Sequence, residues 1–183
     1  NSFFFGGELN YGNILSYLRY NEFDKIVEAK DINEGFFKGK LGYHDTDVMP
    51  WYVKQLADHP QPFFSTLFTQ STHSPYDFPK MFEEIEWPVI EKQYVNSAHY
   101  TDIAIKMFME EARQQPWYDS TLFIFVADHS HTSYKNHRME SFEHHKIPML
   151  VCGNPLQDSL KGKTFDKICG NTDLPAIILS QLG

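Results

Sequence analysis

FIFVADHSHTSYKNH, residues 123–137, joins an apolar run to Asp128 and His129, with His131 and His137 following. A run this rich in aromatic and β-branched residues reads as a buried strand. Such a strand has no packing reason to end in a carboxylate and a group of imidazoles. Two readings of that end are open. Asp128 can make local backbone bonds at a strand terminus beside an incidental His. Alternatively, the strand delivers a carboxylate oxygen and an imidazole nitrogen to one divalent cation.

Working outward, the rest of the chain alternates strands with helices. SFFF (2–5), closed by Gly6-Gly7, predicts a strand, and KIVEAKD (25–31) a short second one. PFFSTLFTQ (62–70) predicts a central strand, and 120–127 and KIPMLVCG (146–153) two more buried ones. Ile14, Leu15, Tyr17 and Leu18 share a helical face over 12–20. Asp47 can cap a helix reaching about 58, with Val48, Trp51, Tyr52 and Leu56 inward. The longest helix, 91–114, repeats apolar residues at three- and four-residue steps and stops at Pro116. Asp173 can cap a last helix over 174–182, while 33–46 and 72–79 read as loops. This order predicts one α/β domain over residues 1–183, a sandwich with a largely parallel sheet. In open α/β sheets functional residues collect outside the carboxyl ends of the strands. Two strands here end in chemistry, one at Thr72-His73 and one at Asp128-His129.

Composition narrows the classes. With 16 basic against 24 acidic residues the net charge is −8, which disfavours nucleic acid or an anionic membrane surface as the main partner. Two cysteines, Cys152 and Cys169, make neither a disulfide scaffold nor a Cys-based zinc site, and read as small buried hydrophobes. The opening NSFFFGGE has no charged n-region and no long apolar stretch, so the chain reads as a piece of something longer.

GGELNYGN (6–13), LGYHDTDV (41–48), PFFSTLFTQSTHSPY (62–76), NSAHYTDIAIKMF (96–108), TLFIFVADHSH (121–131), KIPMLVCG (146–153) and NTDLPAIILSQLG (171–183) follow one another in a specific order. Together they resemble the C-terminal part of the sulfatase-type catalytic domain of the lipoteichoic acid synthase group, in the alkaline phosphatase superfamily. The resemblance implies a three-layer α/β/α sandwich with a mainly parallel central sheet, truncated at its N-terminus. It implies that Asp128 and His129 bind a divalent metal, manganese, zinc or calcium. His73, in the Thr-x-x-x-His-x-Pro segment, would lie beside the transferred group and donate to it or to the leaving group. Ser133, Glu8 and Asn13 would contact substrate, and His131 is added to these candidates. Tyr11 stands where the synthases carry an Arg, a departure in the part of the pocket that reads glycerol phosphate.

The family's Thr nucleophile and a further metal ligand lie on preceding strands, so the resemblance implies an incomplete metal site in this chain. The expected activity of the parent protein is metal-dependent hydrolysis or transfer of sulfate or phosphate esters, lipid head groups or glycans among them. The missing N-terminal part of the same protein would be the partner that completes the site, and the domain would stand outside the cell membrane. Two other classes stay open from the residues alone: a non-catalytic α/β module, and an unrelated zinc hydrolase using His129, His131 and His137.

Overall fold

The structure, a computed structural model, describes residues 1–131 and 137–182, so the candidate Ser133 lies outside the described residues. The chain divides into two compact units, Asn1–Gln115 and Pro116–Gly183.

The first unit is built on β1 (Ser2–Phe5), the centre of a parallel sheet of order β2-β1-β3, with β2 at Lys25–Val27 and β3 at Ser65–Phe68. Phe3 of β1 stands opposite Ile26 on one side and Thr66 on the other. A strand paired on both edges is the apolar centre of such a sheet, and Phe4 is fully buried. Its ring packs edge-on against Tyr52 at 4.9 Å and Trp51 at 6.1 Å, both on α2 (Asp45–Gln55). Burying a side chain of this size contributes about 1.5–3 kcal/mol.

Helix α1 spans Ile14–Tyr20, and α3, Lys92–Ala112, packs along α2. Ala104 and Ala112 on α3 are fully buried, and small residues there let the helices come close. Tyr52 stacks on Phe108 of α3 at 6.2 Å, while its hydroxyl bonds Ser65, whose own hydroxyl accepts from Ser2 at 2.7 Å. Burial pushes the Tyr52 phenol up to about 12.

Helix α2 starts three residues earlier than the capping pattern predicts. His44 is the N-cap, Asp45 the first helical residue, and Asp47 sits inside the first turn without capping it. An acid anywhere in the first turn suits the helix dipole, so sequence alone places the boundary loosely. Leu56 ends the helix by sharing its N–H between the Tyr52 and Val53 carbonyls at 3.2 and 3.1 Å.

In the second unit β4 (Phe123–Val126) pairs with β5 (Met149–Cys152), Phe123 opposite Cys152 and Val126 opposite Met149. The pairing is antiparallel, unlike the parallel ladders of the first unit. The described part of the connection carries only the four-residue α4 (Phe142–His145), not the long crossover helix that a parallel step uses. Phe123 is buried beside Trp117 and Tyr118, as a core strand requires. Met149 and Leu150, expected in a buried strand, are exposed at 39% and 59%. Helix α5 spans Leu174–Leu182. Among the described residues no helix is long and apolar enough to cross a membrane.

Candidate functional site

In the second unit β4 runs directly into Asp128 and His129, both exposed, at 58% and 76% of their side chains. The turn is fixed locally. The His129 N–H donates to Asp128 Oδ1 at 2.9 Å, and Asn171 Nδ2 donates to the Asp128 carbonyl at 3.0 Å. His129 Nδ1 lies 2.8 Å from the Ser130 carbonyl. A carbonyl only accepts, so Nδ1 carries the proton and Nε2 of the neutral ring keeps its lone pair. That Nε2 lies 3.5 Å from Asp128 Oδ2, long for a hydrogen bond.

The spacing suits two ligands of one ion: with bonds of about 2.1 Å they would subtend roughly 110°. The two side chains therefore fit a divalent cation as a pair. No group of three His, Cys, Asp or Glu side chains converges among the described residues. His131 is half-buried two residues on, and His137 is likewise half-buried. His144 and His145 pack ring edge to face at 5.1 Å, with His145 Nε2 on the Met139 carbonyl at 2.6 Å and the Ser130 hydroxyl on the His144 carbonyl.

In the first unit the loops after β1 and β3 leave from the same edge, because the two strands are parallel neighbours. The first loop carries Glu8, exposed, with Lys38 Nζ at 3.7 Å from its Oε1. Asn13 follows at the N-cap of α1, exposed and left-handed at φ 60°, a conformation Asn tolerates, with no capping bond from its side chain. The second loop carries His73 on an exposed turn closed by its N–H to the Gln70 carbonyl at 2.9 Å. His73 Nδ1 meets the Ser74 carbonyl at 2.6 Å, so here too Nδ1 holds the proton and Nε2 faces outward. The loops touch: a Cβ on Gly7 would come 2.8 Å from Gln70 Oε1. Thus the structure gathers Glu8, Asn13 and His73 in one unit, and Asp128, His129 and His131 in the other.

Two buried carboxylates behind these loops were not singled out from the sequence. Glu28, just past β2, accepts the Leu9 N–H at 2.8 Å and pairs with Lys30, which supports the residue next to Glu8. The Lys30 ammonium, with the Leu9 N–H, holds the Glu28 carboxyl below its ordinary range. Asp45 accepts the N–H groups of Gln70 and Ser71 at 3.3 and 3.0 Å. Burial pushes its carboxyl above the ordinary range, against the bonds from Ser71 and Gln70 and the nearby His44. Asp45 falls in the segment 33–46 that the sequence marks as loop, and its partners are backbone groups 25 and 26 residues away.

A family model described as Sulfatase matches residues 4–183. Lipoteichoic acid synthase 2 of Bacillus subtilis is 23% identical over 94% of this chain and 30% of its own length. A lipoteichoic acid synthase of Staphylococcus saprophyticus is 27% identical over 58% of this chain and 17% of its own length. The chain thus spans less than a third of the curated relatives it matches. Among solved structures, an alkaline phosphatase superfamily protein from Vibrio parahaemolyticus superposes with a TM-score of 0.84 at 32% identity, over 100% of this chain and 44% of that one. A lipoteichoic acid synthase from Listeria monocytogenes gives a TM-score of 0.65 over 82% of this chain and 42% of that one; at 20% identity it speaks for the fold alone. The fold is α/β of the alkaline phosphatase superfamily, whose members are generally metal-dependent. With a family model spanning nearly all of the chain and both units, the chain belongs to the sulfatase family.

Proposed function

We propose that the protein to which this chain belongs hydrolyses or transfers sulfate or phosphate esters in a metal-dependent reaction. The observation that carries the reading is the end of β4, where Asp128 Oδ2 and His129 Nε2 stand 3.5 Å apart and open to solvent. Asp128 and His129 hold a divalent ion, of which manganese, zinc and calcium all accept an oxygen and a nitrogen donor. When bound, such an ion supplies Lewis acidity toward the ester oxygens.

His73 binds the transferred group. Its Nδ1 proton is committed to the Ser74 carbonyl, so only the protonated ring can donate, through Nε2, to the developing charge or the leaving oxygen. Glu8 and Asn13 contact the rest of the substrate, joined by His131 and by Ser133 outside the described residues. The nucleophilic Thr and the remaining metal ligand come from sequence beyond these 183 residues. The substrate is a lipid head group or glycan ester, and the domain works on the outer side of the cell membrane.

The test is turnover of bis(p-nitrophenyl) phosphate and p-nitrophenyl sulfate by the full-length protein with Mn²⁺. Asp128→Asn, folded by circular dichroism, is expected to lose at least about a hundredfold in kcat, the scale of a disrupted metal site. Turnover retained in that variant would overturn the metal assignment, and turnover of neither ester by the wild type would overturn the reaction class.

A further inference from the structure

Asp45 is the first residue of α2, its side chain is buried, and no step of the proposed reaction uses it. A carboxylate withdrawn from water is costly unless hydrogen bonds replace the lost solvent. For Asp45 those bonds come from one place. Oδ1 accepts the Gln70 N–H at 3.3 Å, Oδ2 accepts the Ser71 N–H at 3.0 Å, and the Ser71 side chain adds another bond. None of these bonds serves the N–H groups of α2, so Asp45 is not there to cap its own helix.

What it grips is the root of the turn that carries His73. Gln70 is held a second time, its Nε2 donating to the Tyr43 carbonyl at 2.9 Å, and its own carbonyl receives the His73 N–H at 2.9 Å. The grip is anchored in the sheet, since the Tyr43 N–H donates to the Gly6 carbonyl at the end of β1 at 2.8 Å. Gly42, at φ 153°, lets the segment approach that closely: a Cβ there would fall 2.3 Å from the Gly6 carbonyl oxygen. Ser71 is buried whereas Thr72, His73 and Ser74 are exposed, so the turn has a fixed root and a free tip.

We infer that Asp45 is the positioning residue for His73, holding the Gln70 and Ser71 amides so that the His73 ring is presented at one fixed place. The inference rests on the role proposed for His73. A displacement of about 1 Å in a catalytic group can cost about a hundredfold in rate, so loosening this root slows turnover without touching substrate. Asn at position 45 keeps one acceptor but turns an NH₂ group toward the second amide, which releases half of the grip.

The experiment is a double-mutant cycle in the full-length protein with Mn²⁺ and bis(p-nitrophenyl) phosphate. It compares wild type, Asp45→Asn, His73→Ala and the double variant. Asp45→Asn is expected to lower kcat about tenfold or more with KM within about twofold. In the His73→Ala background the same change is expected to have no further effect on kcat, because the ring it positions is gone. Asp45→Asn at wild-type kcat overturns the inference. So does an equal loss in both backgrounds, which marks a purely structural residue. If His73→Ala itself keeps wild-type turnover, the role proposed for His73 fails and the inference falls with it. Asp45→Ser, smaller and uncharged, is the second variant. Loss of the native circular dichroism in both Asn and Ser variants assigns Asp45 to the fold and overturns the positioning role.

Discussion

Asp45 and Glu28 do similar work behind neighbouring loops, yet their surroundings push their protons in opposite directions. Glu28 is held ionised by Lys30, by the Leu9 N–H and by the more distant Arg19. A carboxyl lowered in the folded state stabilises the fold above its ordinary value of 4.5, and that contribution is lost as pH falls through the folded value. Asp45, raised by burial, retains its proton in the folded chain at a pH where the unfolded chain has lost it. Its contribution is complete below the ordinary value of 3.8 and is lost as pH rises through the folded value. Urea unfolding should therefore show Glu28→Gln costing more stability at pH 7 than at pH 4. Asp45→Asn should show the reverse slope, costing more at the acid end, and parallel pH profiles for the two variants would contradict both assignments. At Asp128 and His129 the expected signature is metal binding itself. Calorimetric titration of this chain with Mn²⁺ should give weak binding that Asp128→Ala removes, since two ligands alone hold an ion loosely. Binding that survives Asp128→Ala would place the ion elsewhere.

At the scale of elements, the junction of α2 with α3 and β1 carries the first unit. Tyr100 on α3 is fully buried, its hydroxyl 2.6 Å from Thr46 Oγ1 on α2 and its ring stacked on Phe78 at 5.1 Å. Tyr100→Phe keeps the ring and strands the Thr46 hydroxyl, so it should cost about 1–2 kcal/mol in urea unfolding. Phe4→Ala, which empties the space between β1 and α2, should cost about 3–5 kcal/mol. A smaller loss at Phe4 than at Tyr100 would mean that the sheet and helices are not packed through it. The apolar periods that built this junction were legible: SFFF became β1 to the residue, and the three- and four-residue steps of α3 placed its 21 residues within two at each end. KIVEAKD predicts a longer strand than forms, because after β2 ends at Val27 the residues Ala29–Asp31 turn into a short 3-10 segment. Strand direction was not legible at β5, since an apolar run looks the same whether its partner is parallel or antiparallel.

For the whole molecule, the part of the candidate site that the sequence points to is the part that follows from where strands end. His73, Asp128 and His129 all stand just beyond strands, as the sheet rule anticipates. Asp45 and Glu28 were not legible, because each satisfies backbone amides far along the chain and leaves no side-chain motif to recognise. The net charge of −8 argues against a polyanionic partner, so the chain should show no band shift with duplex DNA at 0.15 M salt. Retention of DNA under those conditions would contradict that exclusion. The tautomers of His73 and His129 carry a consequence for how this site can change over generations. Each ring is set by the main-chain oxygen of the next residue, at Ser74 and Ser130. An acceptor made of backbone has no side chain for mutation to remove. Drift at positions 74 and 130 can therefore alter everything about those residues except the atom that holds a proton on Nδ1 and leaves Nε2 as the reacting nitrogen, and the two histidines inherit their chemistry from chain geometry.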